Sequence, residues 1–174
     1  FLPLKNYGQK EIIPTEIDSL FRKELVHGRV HDEAAALMGG VCGNAGLFAN
    51  ASNVAPLLEM LLNKGNYNGT NYLKPETIAL FTGLAYPETE NRRGLGFDKP
   101  ELEPSEDGSR YPSKKCSPSS FGHAGYTGTF VWVDPEHNCF LVLLSNRVYP
   151  SRTHRNLYEL GIRGKLLDYV IQSN

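Results

Sequence analysis

The chain has 174 residues, of which 40% are hydrophobic and 21% are charged, the balance of an ordinary globular domain with its own core. A net charge of −1 argues against nucleic-acid binding, which favours a basic face. No apolar run approaches the roughly 18 residues needed to span a bilayer. Cys42, Cys116 and Cys139 are widely spaced, which predicts isolated thiols rather than a disulfide framework or a zinc ribbon.

The first part of the chain predicts turns followed by a hairpin. Residues 1–19 are rich in Pro and Gly and are expected to run over the surface. Residues 21–25 and 26–30 are predicted to form a β-hairpin with Gly28 in the bend, a short helix being the alternative. One or two helical turns are expected over residues 34–38. The chain begins at Phe1 without Met or a signal peptide, so we expect it to be a piece of a longer protein.

The clearest helix pattern lies in residues 52–65. One apolar stripe at helical spacing is formed by Val54, Leu57, Leu58, Leu61 and Leu62. Ser52 is a suitable N-cap, and Gly65 suits the helix end. Pro75 then favours the first turn of a second helix that continues to about Phe81. Residues 82–120 are predicted to be loops with one strand near residues 94–97.

The last third predicts a buried sheet. Residues 129–133 and 139–144 are β-rich and apolar without alternation, and residues 134–138 between them favour a turn. They predict an antiparallel hairpin in the middle of a sheet that is covered on both faces. Apolar residues from Leu157 to Ile171 predict a final helix. The predicted fold class is therefore an α/β (α+β) sandwich of central antiparallel strands with flanking helices.

One glycine-rich segment could carry chemistry. It reads Phe-Gly-His-Ala-Gly-Tyr-Thr-Gly-Thr over residues 121–129 and opens the first buried strand. Its glycines could allow a ligand close to the backbone, and His123 could donate a hydrogen bond or carry charge. A glycine-rich turn with a structural histidine is the alternative, and spacing alone gives that alternative more weight.

The segment resembles the third motif of the β-lactamase and penicillin-binding superfamily, Lys-Thr-Gly, in its His-x-Gly variant. The resemblance implies that His123 is the cation or donor and that Ala124 occupies the position of a hydroxyl residue. It also implies that Gly125 lets the substrate backbone come close. The backbone N–H of Tyr126 would be one of two donors to the oxyanion.

Three further segments resemble class C-like serine hydrolases in the expected order. Residues 30–48 resemble their His-Asp and glycine-rich pattern, residues 93–97 their Gly-Leu-Gly-Phe strand, and residues 146–150 their Asn-Lys-x-Tyr-Pro stretch. The last match implies that Asn146, Arg147 and Ser151 meet a substrate carboxylate. Some domains of this type are fused to family 3 glycoside hydrolases in Bacteroidetes.

The chain also departs from the family pattern. Ala124 replaces the usual Thr, Asn44 replaces a common His, and Ala35 replaces an Asn, which weakens the expectation of β-lactam recognition. No serine has Lys three residues later, so the nucleophile motif Ser-x-x-Lys is missing. Tyr-x-Ser occurs at Tyr111 and Tyr149, at positions that do not fit the second motif. The resemblance therefore implies that residues 1–174 are the C-terminal portion of one domain whose N-terminal half carries the nucleophile.

These residues lead to two functional hypotheses. The first is a serine hydrolase that acts without a cofactor on an ester, a β-lactam or a peptidoglycan-derived D-Ala peptide, in the periplasm or cell envelope. The missing half would be the partner of this chain, which alone should be inactive. The second is a non-catalytic module attached to a cell-wall glycosidase. A metal site at His27, His31, Asp32 and Glu33 is disfavoured, because Gly28 interrupts any helix there.

Overall fold

The computed structural model describes residues 2–106 and 108–174, and Phe1 lies outside them. The helices in this part of the chain are α1 (Glu33–Leu37), α2 (Ala51–Leu62), α3 (Pro75–Thr82), α4 (Asn156–Glu159) and α5 (Ile162–Ser173). The strands are β1 (Pro14–Asp18), β2 (Glu24–His27), β3 (Asn66–Tyr67), β4 (Thr70–Asn71), β5 (Phe121–Ala124), β6 (Phe130–Asp134) and β7 (Cys139–Leu143). Groups of strands and groups of helices follow one another along the chain, so the fold is mixed α/β. Among these residues, no helix combines the length and the apolar character needed to cross a membrane.

The main sheet contains three antiparallel strands in the order β5-β6-β7. Trp132 pairs with Gly122 on one side and with Leu141 on the other, which fixes the register. In the turn between β6 and β7, the Asp134 carboxylate accepts hydrogen bonds from the backbone N–H groups of Glu136 and His137. The predicted hairpin is confirmed, but β6 alone is central, because β7 is an outer strand in the described sheet.

Helices cover both faces of this sheet, as predicted from strands whose apolar residues do not alternate with polar ones. Side chains of one strand point alternately to the two faces, so Val131 and Val133 face one layer while Phe130 and Trp132 face the other. The first layer is built on α2 and α3 and contains Leu58, Met60, Leu61, Ile78, Phe121 and Val133. The second is built on α5 and contains Cys116, Phe130, Trp132 and Leu167, with Leu141, Leu143 and Ile171 against them.

The helix boundaries refine the sequence predictions. Helix α2 is capped by Asn50, whose side chain accepts a hydrogen bond from the backbone N–H of Asn53, so the N-cap lies two residues before Ser52. Pro75 begins α3 as predicted. The single final helix was wrong, because Gly161 has a φ of +58° and separates α4 from α5. The three cysteines are free thiols, which confirms the prediction of isolated thiols.

The N-terminal hairpin differs from the predicted one. Strand β2 pairs with β1, which lies in the segment predicted to be surface turns, and Gly28 follows β2 instead of forming the bend. The bend is held by the Asp18 carboxylate, which accepts hydrogen bonds from the backbone N–H groups of Leu20, Phe21 and Arg22. The prediction failed because Glu16 and Asp18 in β1 are acidic yet buried.

Residues 94–97 form a tight turn instead of the predicted strand. The backbone N–H of Gly94 donates to the carbonyl of Phe97, and Arg93 and Asp98 flank the turn as a bridged pair. Asp98 also exchanges two backbone hydrogen bonds with Gly122 of β5, of 2.7 and 3.0 Å. This bridge places the side chains of residues 93 and 98 next to the His-Ala-Gly strand.

Candidate functional site

The His-Ala-Gly residues lie where β5 turns toward β6. The backbone N–H of Gly125 donates to the carbonyl of Thr129 at 2.8 Å, and that of Gly128 donates to the carbonyl of Gly125. Arg163 also donates to the Gly125 carbonyl at 2.9 Å. A Cβ atom on residue 125 would overlap the Thr129 hydroxyl oxygen. The turn itself therefore requires glycine at this position, independently of any substrate.

His123 presents its side chain to solvent from β5, opposite Val131 of β6. Its Nδ1 lies 3.2 Å from the carbonyl oxygen of Ala124, and its Nε2 lies 3.5 Å from Nη1 of Arg93. Ala124 is half-buried and contributes no hydroxyl group. The exposed edge of β5 therefore carries an imidazole beside a guanidinium.

Arg93 is held in this position by a buried carboxylate. Its Nη1 lies 3.0 Å from Oδ1 of Asp98, whose other oxygen accepts a hydrogen bond of 3.1 Å from the Tyr111 hydroxyl. Burial and the nearby Asp98 charge raise the pKa of Tyr111 well above its ordinary value, which keeps this hydroxyl a donor. About half of the Arg93 side chain (52%) remains exposed. Asp98 thus orients a solvent-facing cation next to His123.

Sequence reasoning missed the role of Arg93. The sequence singled out residues 93–97 only as a family-like segment, and two adjacent arginines are too few to indicate a binding patch. The contact with His123 joins residues 30 positions apart. A buried Asp close to an exposed Arg in one tight turn was the available local signal.

The peptide unit that follows Gly125 is presented with its N–H free. In the described ranges, the backbone N–H of Tyr126 has no hydrogen-bond acceptor, whereas its carbonyl accepts from Arg147 Nε at 2.9 Å and from the Tyr158 hydroxyl at 3.3 Å. The Tyr126 ring stacks on His31, with ring centroids 5.7 Å apart, and lies 4.5 Å from the Arg147 guanidinium carbon. The peptide that carries this N–H is held through the Gly125 carbonyl, which accepts from the Gly128 N–H at 3.1 Å and from Arg163 at 2.9 Å. An available N–H on a fixed peptide is the geometry that an oxyanion donor needs.

Arg147 and Asn146, which follow β7, donate side-chain hydrogen bonds to backbone carbonyls of the protein. Arg147 donates from Nη1 to the carbonyls of Arg152 and His154, in addition to its bonds to Tyr126 and Tyr158. Asn146 donates to the carbonyls of Pro14 and Thr15 in β1.

Ser151 bonds the hydroxyl of Thr153 at 3.0 Å. The expected contact of Asn146, Arg147 and Ser151 with a substrate carboxylate stays a prediction, and the hydrogen bonds described for these side chains are to protein groups. Asn146 and Arg147 line an open depression of about 450 Å³, and neither His123 nor Tyr126 lines it.

The histidines near the N-terminal hairpin are engaged with protein groups. His27 Nε2 lies 2.6 Å from the carbonyl of Ile12, and His31 Nε2 lies 2.7 Å from Oε2 of Glu16. Asp32 accepts from the backbone N–H of Ala35 and so caps α1. Over residues 2–106 and 108–174, no three His, Cys, Asp or Glu side chains are grouped to hold a metal ion.

This edge therefore carries the Tyr126 N–H and the Arg93 guanidinium as donors, beside the His123 imidazole, whose Nε2 accepts from Nη1 of Arg93. Such an edge can stabilise negative charge that develops on a carbonyl oxygen, and its guanidinium can bind a carboxylate. The sequence contains no Ser-x-x-Lys motif to attack that carbonyl.

Comparisons with known proteins agree with this geometry. A family model described as "Beta-lactamase" matches residues 14–163. The chain is 31% identical over 175 residues to a protein of Escherichia coli strain K12 named "Putative D-alanyl-D-alanine carboxypeptidase", covering 91% of this chain and 39% of that protein. It is 34% identical over 180 residues to a protein of the same name in Salmonella agona strain SL483, covering 93% of this chain and 40% of that protein.

The chain thus spans about two fifths of the length of these curated relatives. The family match covers most of the chain and includes the His-Ala-Gly strand, the turn at residues 93–98 and the segment after β7. The family also implies the transpeptidase-like fold, in agreement with a sheet covered by helices on both faces. The chain belongs to the beta-lactamase family.

Proposed function

We propose that the complete gene product is a serine hydrolase that forms an acyl-enzyme with a D-Ala-type peptide, and that this chain supplies the oxyanion side of its active site. The Gly125–Tyr126 peptide carries the proposal, because its N–H has no acceptor among the described residues while its carbonyl accepts from the Gly128 N–H and from Arg163. A serine outside this chain would attack the substrate carbonyl. The Tyr126 N–H would then donate to the oxygen as it becomes negative.

His123 and Arg93 would act on the substrate beside this donor. Both lie on the exposed edge of β5, and Asp98 fixes the guanidinium of Arg93. A peptide that ends in D-Ala carries a free carboxylate, which a guanidinium binds well. The names of the carboxypeptidase relatives support this substrate class over a general ester or a β-lactam.

The test compares substrates and variants of the complete gene product. We expect release of D-Ala from a peptide ending in D-Ala-D-Ala, and slower turnover of nitrocefin and of p-nitrophenyl esters. His123→Ala should lower kcat/KM for the peptide by about tenfold to a hundredfold. His137→Ala is the matched control, because His137 lies in the turn at the other end of β6. An active enzyme on which His123→Ala has no effect would contradict the assigned role.

A second function is favoured by Ala124 alone. A non-catalytic module attached to a cell-wall glycosidase would not need the motif hydroxyl, so the loss of that hydroxyl fits this second function. The complete gene sequence separates the two proposals. Ser-x-x-Lys and Tyr-x-Asn or Tyr-x-Ser in the remainder of the domain support the hydrolase, and their loss supports the module. Either function places the protein in the periplasm or cell envelope, which fractionation of the producing cells tests.

A further inference from the structure

Two acidic residues of β1 each bind an arginine from another part of the chain. Glu16 is only 2% exposed and Asp18 only 1%. Arg152 donates to Glu16 through Nε and Nη2, both at 2.8 Å, and Arg22 lies 3.4 Å from Asp18. Burial of a carboxylate without such partners strongly destabilises the folded state. The hairpin β1–β2 therefore contains two buried carboxylates paired with arginines, and we call these four residues the charged framework.

This framework holds the segment that contains His31. Arg22 donates to the carbonyls of Val30 and His31 at 2.9 and 3.1 Å, which fixes the backbone. Glu16 Oε2 lies 2.7 Å from Nε2 of His31, which fixes the ring. The His31 side chain is only 12% exposed. The orientation of this imidazole is thus set at both its backbone and its ring.

His31 in turn contacts the residue that carries the free N–H. Its ring lies parallel to that of Tyr126, with an interplanar angle of 21° and a centroid distance of 5.7 Å. Tyr126 is also supported by Arg147, which contacts the same ring and binds the carbonyl, and by the Tyr158 hydroxyl, which donates to that carbonyl. Tyr126 is 56% exposed, so these contacts supply much of what restrains it.

We propose that His31 is a positioning residue, which Glu16 and Arg152 hold against the Tyr126 ring so that the Tyr126 N–H points where charge develops on the substrate oxygen. The inference rests on the proposed function, because it concerns how well the oxyanion is stabilised. His31 itself touches neither substrate nor nucleophile. Loss of the ring contact would let the Tyr126 side chain move together with its Cα, and a donor misplaced by a fraction of an ångström stabilises a transition state less well.

The test uses the complete gene product with His31 replaced by Ala, Leu and Phe. Removal of one oxyanion donor lowers kcat by about 10²–10³, so a donor that is merely loosened should lower it by about tenfold in His31→Ala and His31→Leu. KM should change by less than about twofold, because ground-state binding is unaffected. His31→Phe keeps a flat ring on Tyr126 but loses the hydrogen bond to Glu16, so its kcat should lie between those of wild type and His31→Ala. His31→Leu fills the site without a flat ring if His31→Ala fails to fold.

His27→Ala is the matched control. His27 belongs to the same hairpin, but its ring contacts the carbonyl of Ile12. We expect its kcat to remain within about twofold of wild type. Equal losses in His27→Ala and His31→Ala would show that the hairpin as a whole matters and would overturn the specific role of His31.

A second measurement does not depend on turnover. The protein is labelled with ¹⁵N-tyrosine, and the Tyr126 amide signal is assigned from its absence in Tyr126→Phe. His31→Ala and His31→Leu should shift or broaden that signal, and His31→Phe should do so to a smaller extent, whereas His27→Ala should leave it in place. An unmoved signal in a folded His31→Ala protein overturns the inference. Absence of acyl-transfer activity in wild type with a moved signal instead rejects the proposed function and leaves the positioning contact supported.

Discussion

The guanidinium of Arg152 forms a two-point ion pair with the carboxylate of Glu16, although the two residues are 136 positions apart in the chain. Burial alone would raise the pKa of Glu16, but hydrogen bonds from Arg152 and His31 outweigh burial and hold the pKa below its ordinary value. Arg152 also lies 3.1 Å from Glu33 at the start of α1. One side chain therefore ties the N-terminal hairpin and α1 to the segment after β7.

Removal of Arg152 should destabilise the chain more than removal of an exposed arginine. Arg152→Ala leaves the Glu16 carboxylate buried with His31 as its remaining side-chain partner, which we expect to lower the free energy of unfolding by about 3 kcal/mol. Arg155→Ala is the matched control, because its pair with Glu159 is exposed and should contribute less than about 1 kcal/mol. Urea unfolding followed by circular dichroism measures both. Equal effects of the two substitutions would contradict the structural role of Arg152.

The stability of the chain should fall in acid through Asp18. Burial would raise the pKa of Asp18, but backbone N–H donors at Phe21, Arg22 and Leu20 outweigh burial and lower the pKa from 3.8 to about 2. The unfolded chain then binds more protons than the folded chain between pH 4 and pH 2. The contribution of Asp18 is therefore complete above about pH 4 and is lost as the pH falls toward 2.

Asp18→Asn should flatten the pH dependence over this interval and lower stability at pH 7 by about 1–3 kcal/mol, because one oxygen acceptor is lost. Thermal unfolding at pH 7, 4, 3 and 2 measures the effect. Glu90→Gln serves as the control, since it removes an exposed loop carboxylate without touching the hairpin. An Asp18→Asn variant with the acid sensitivity of wild type would show that other carboxylates control this transition.

The sequence predicted the parts of the fold that local patterns determine. The apolar stripe of α2, Pro75 at the start of α3 and the apolar runs of β6 and β7 all gave correct elements. Strand β1 was missed because acidic residues such as Glu16 and Asp18 are expected on the surface. Their burial depends on Arg152 and Arg22, which only the folded structure places next to them. The break at Gly161 was missed because the apolar spacing continues across it.

The candidate site could likewise be predicted only in part. The His-Ala-Gly strand could be found from its residues and their family-like order, but the contacts that organise it could not. Arg93 reaches His123 through the bridge between Asp98 and Gly122, and His31 reaches Tyr126 through β1. Both depend on long-range packing, for which a single sequence carries no local signal.

Gly125 offers a test of why the motif needs glycine. The Cβ of Gly125→Ala would overlap the Thr129 hydroxyl, so this variant should be destabilised by about 1–3 kcal/mol. Thr129→Ala removes that oxygen, and the double variant Gly125→Ala/Thr129→Ala should recover most of the loss by comparison with Thr129→Ala alone. Gly43→Ala is the control, because no atom lies within 4 Å of a Cβ there. Thermal unfolding of the four variants measures the coupling. Without recovery in the double variant, the overlap with Thr129 is not the reason for glycine.

Arg93 should determine how strongly the enzyme binds a terminal carboxylate. Its guanidinium faces solvent beside His123, and the buried Asp98 holds it there. A charge-assisted hydrogen bond contributes about 1.5–3 kcal/mol. Arg93→Ala in the complete gene product should therefore raise KM for a peptide ending in D-Ala-D-Ala by about tenfold or more. The same peptide with a carboxamide terminus should be affected by less than about threefold, because it offers no charge to the guanidinium.

Asp98→Asn should lie between wild type and Arg93→Ala, because it keeps the side-chain volume but removes the charge that orients Arg93. Arg29→Ala is the control, since its half-exposed guanidinium pairs with Glu24 at 2.8 Å. This control should change KM for the acid peptide and for the amide peptide by the same factor. Steady-state kinetics with the matched acid and amide peptides decide the question. If Arg93→Ala reduces kcat/KM for both peptides by the same factor, then Arg93 supports the fold of the edge and does not bind the substrate carboxylate.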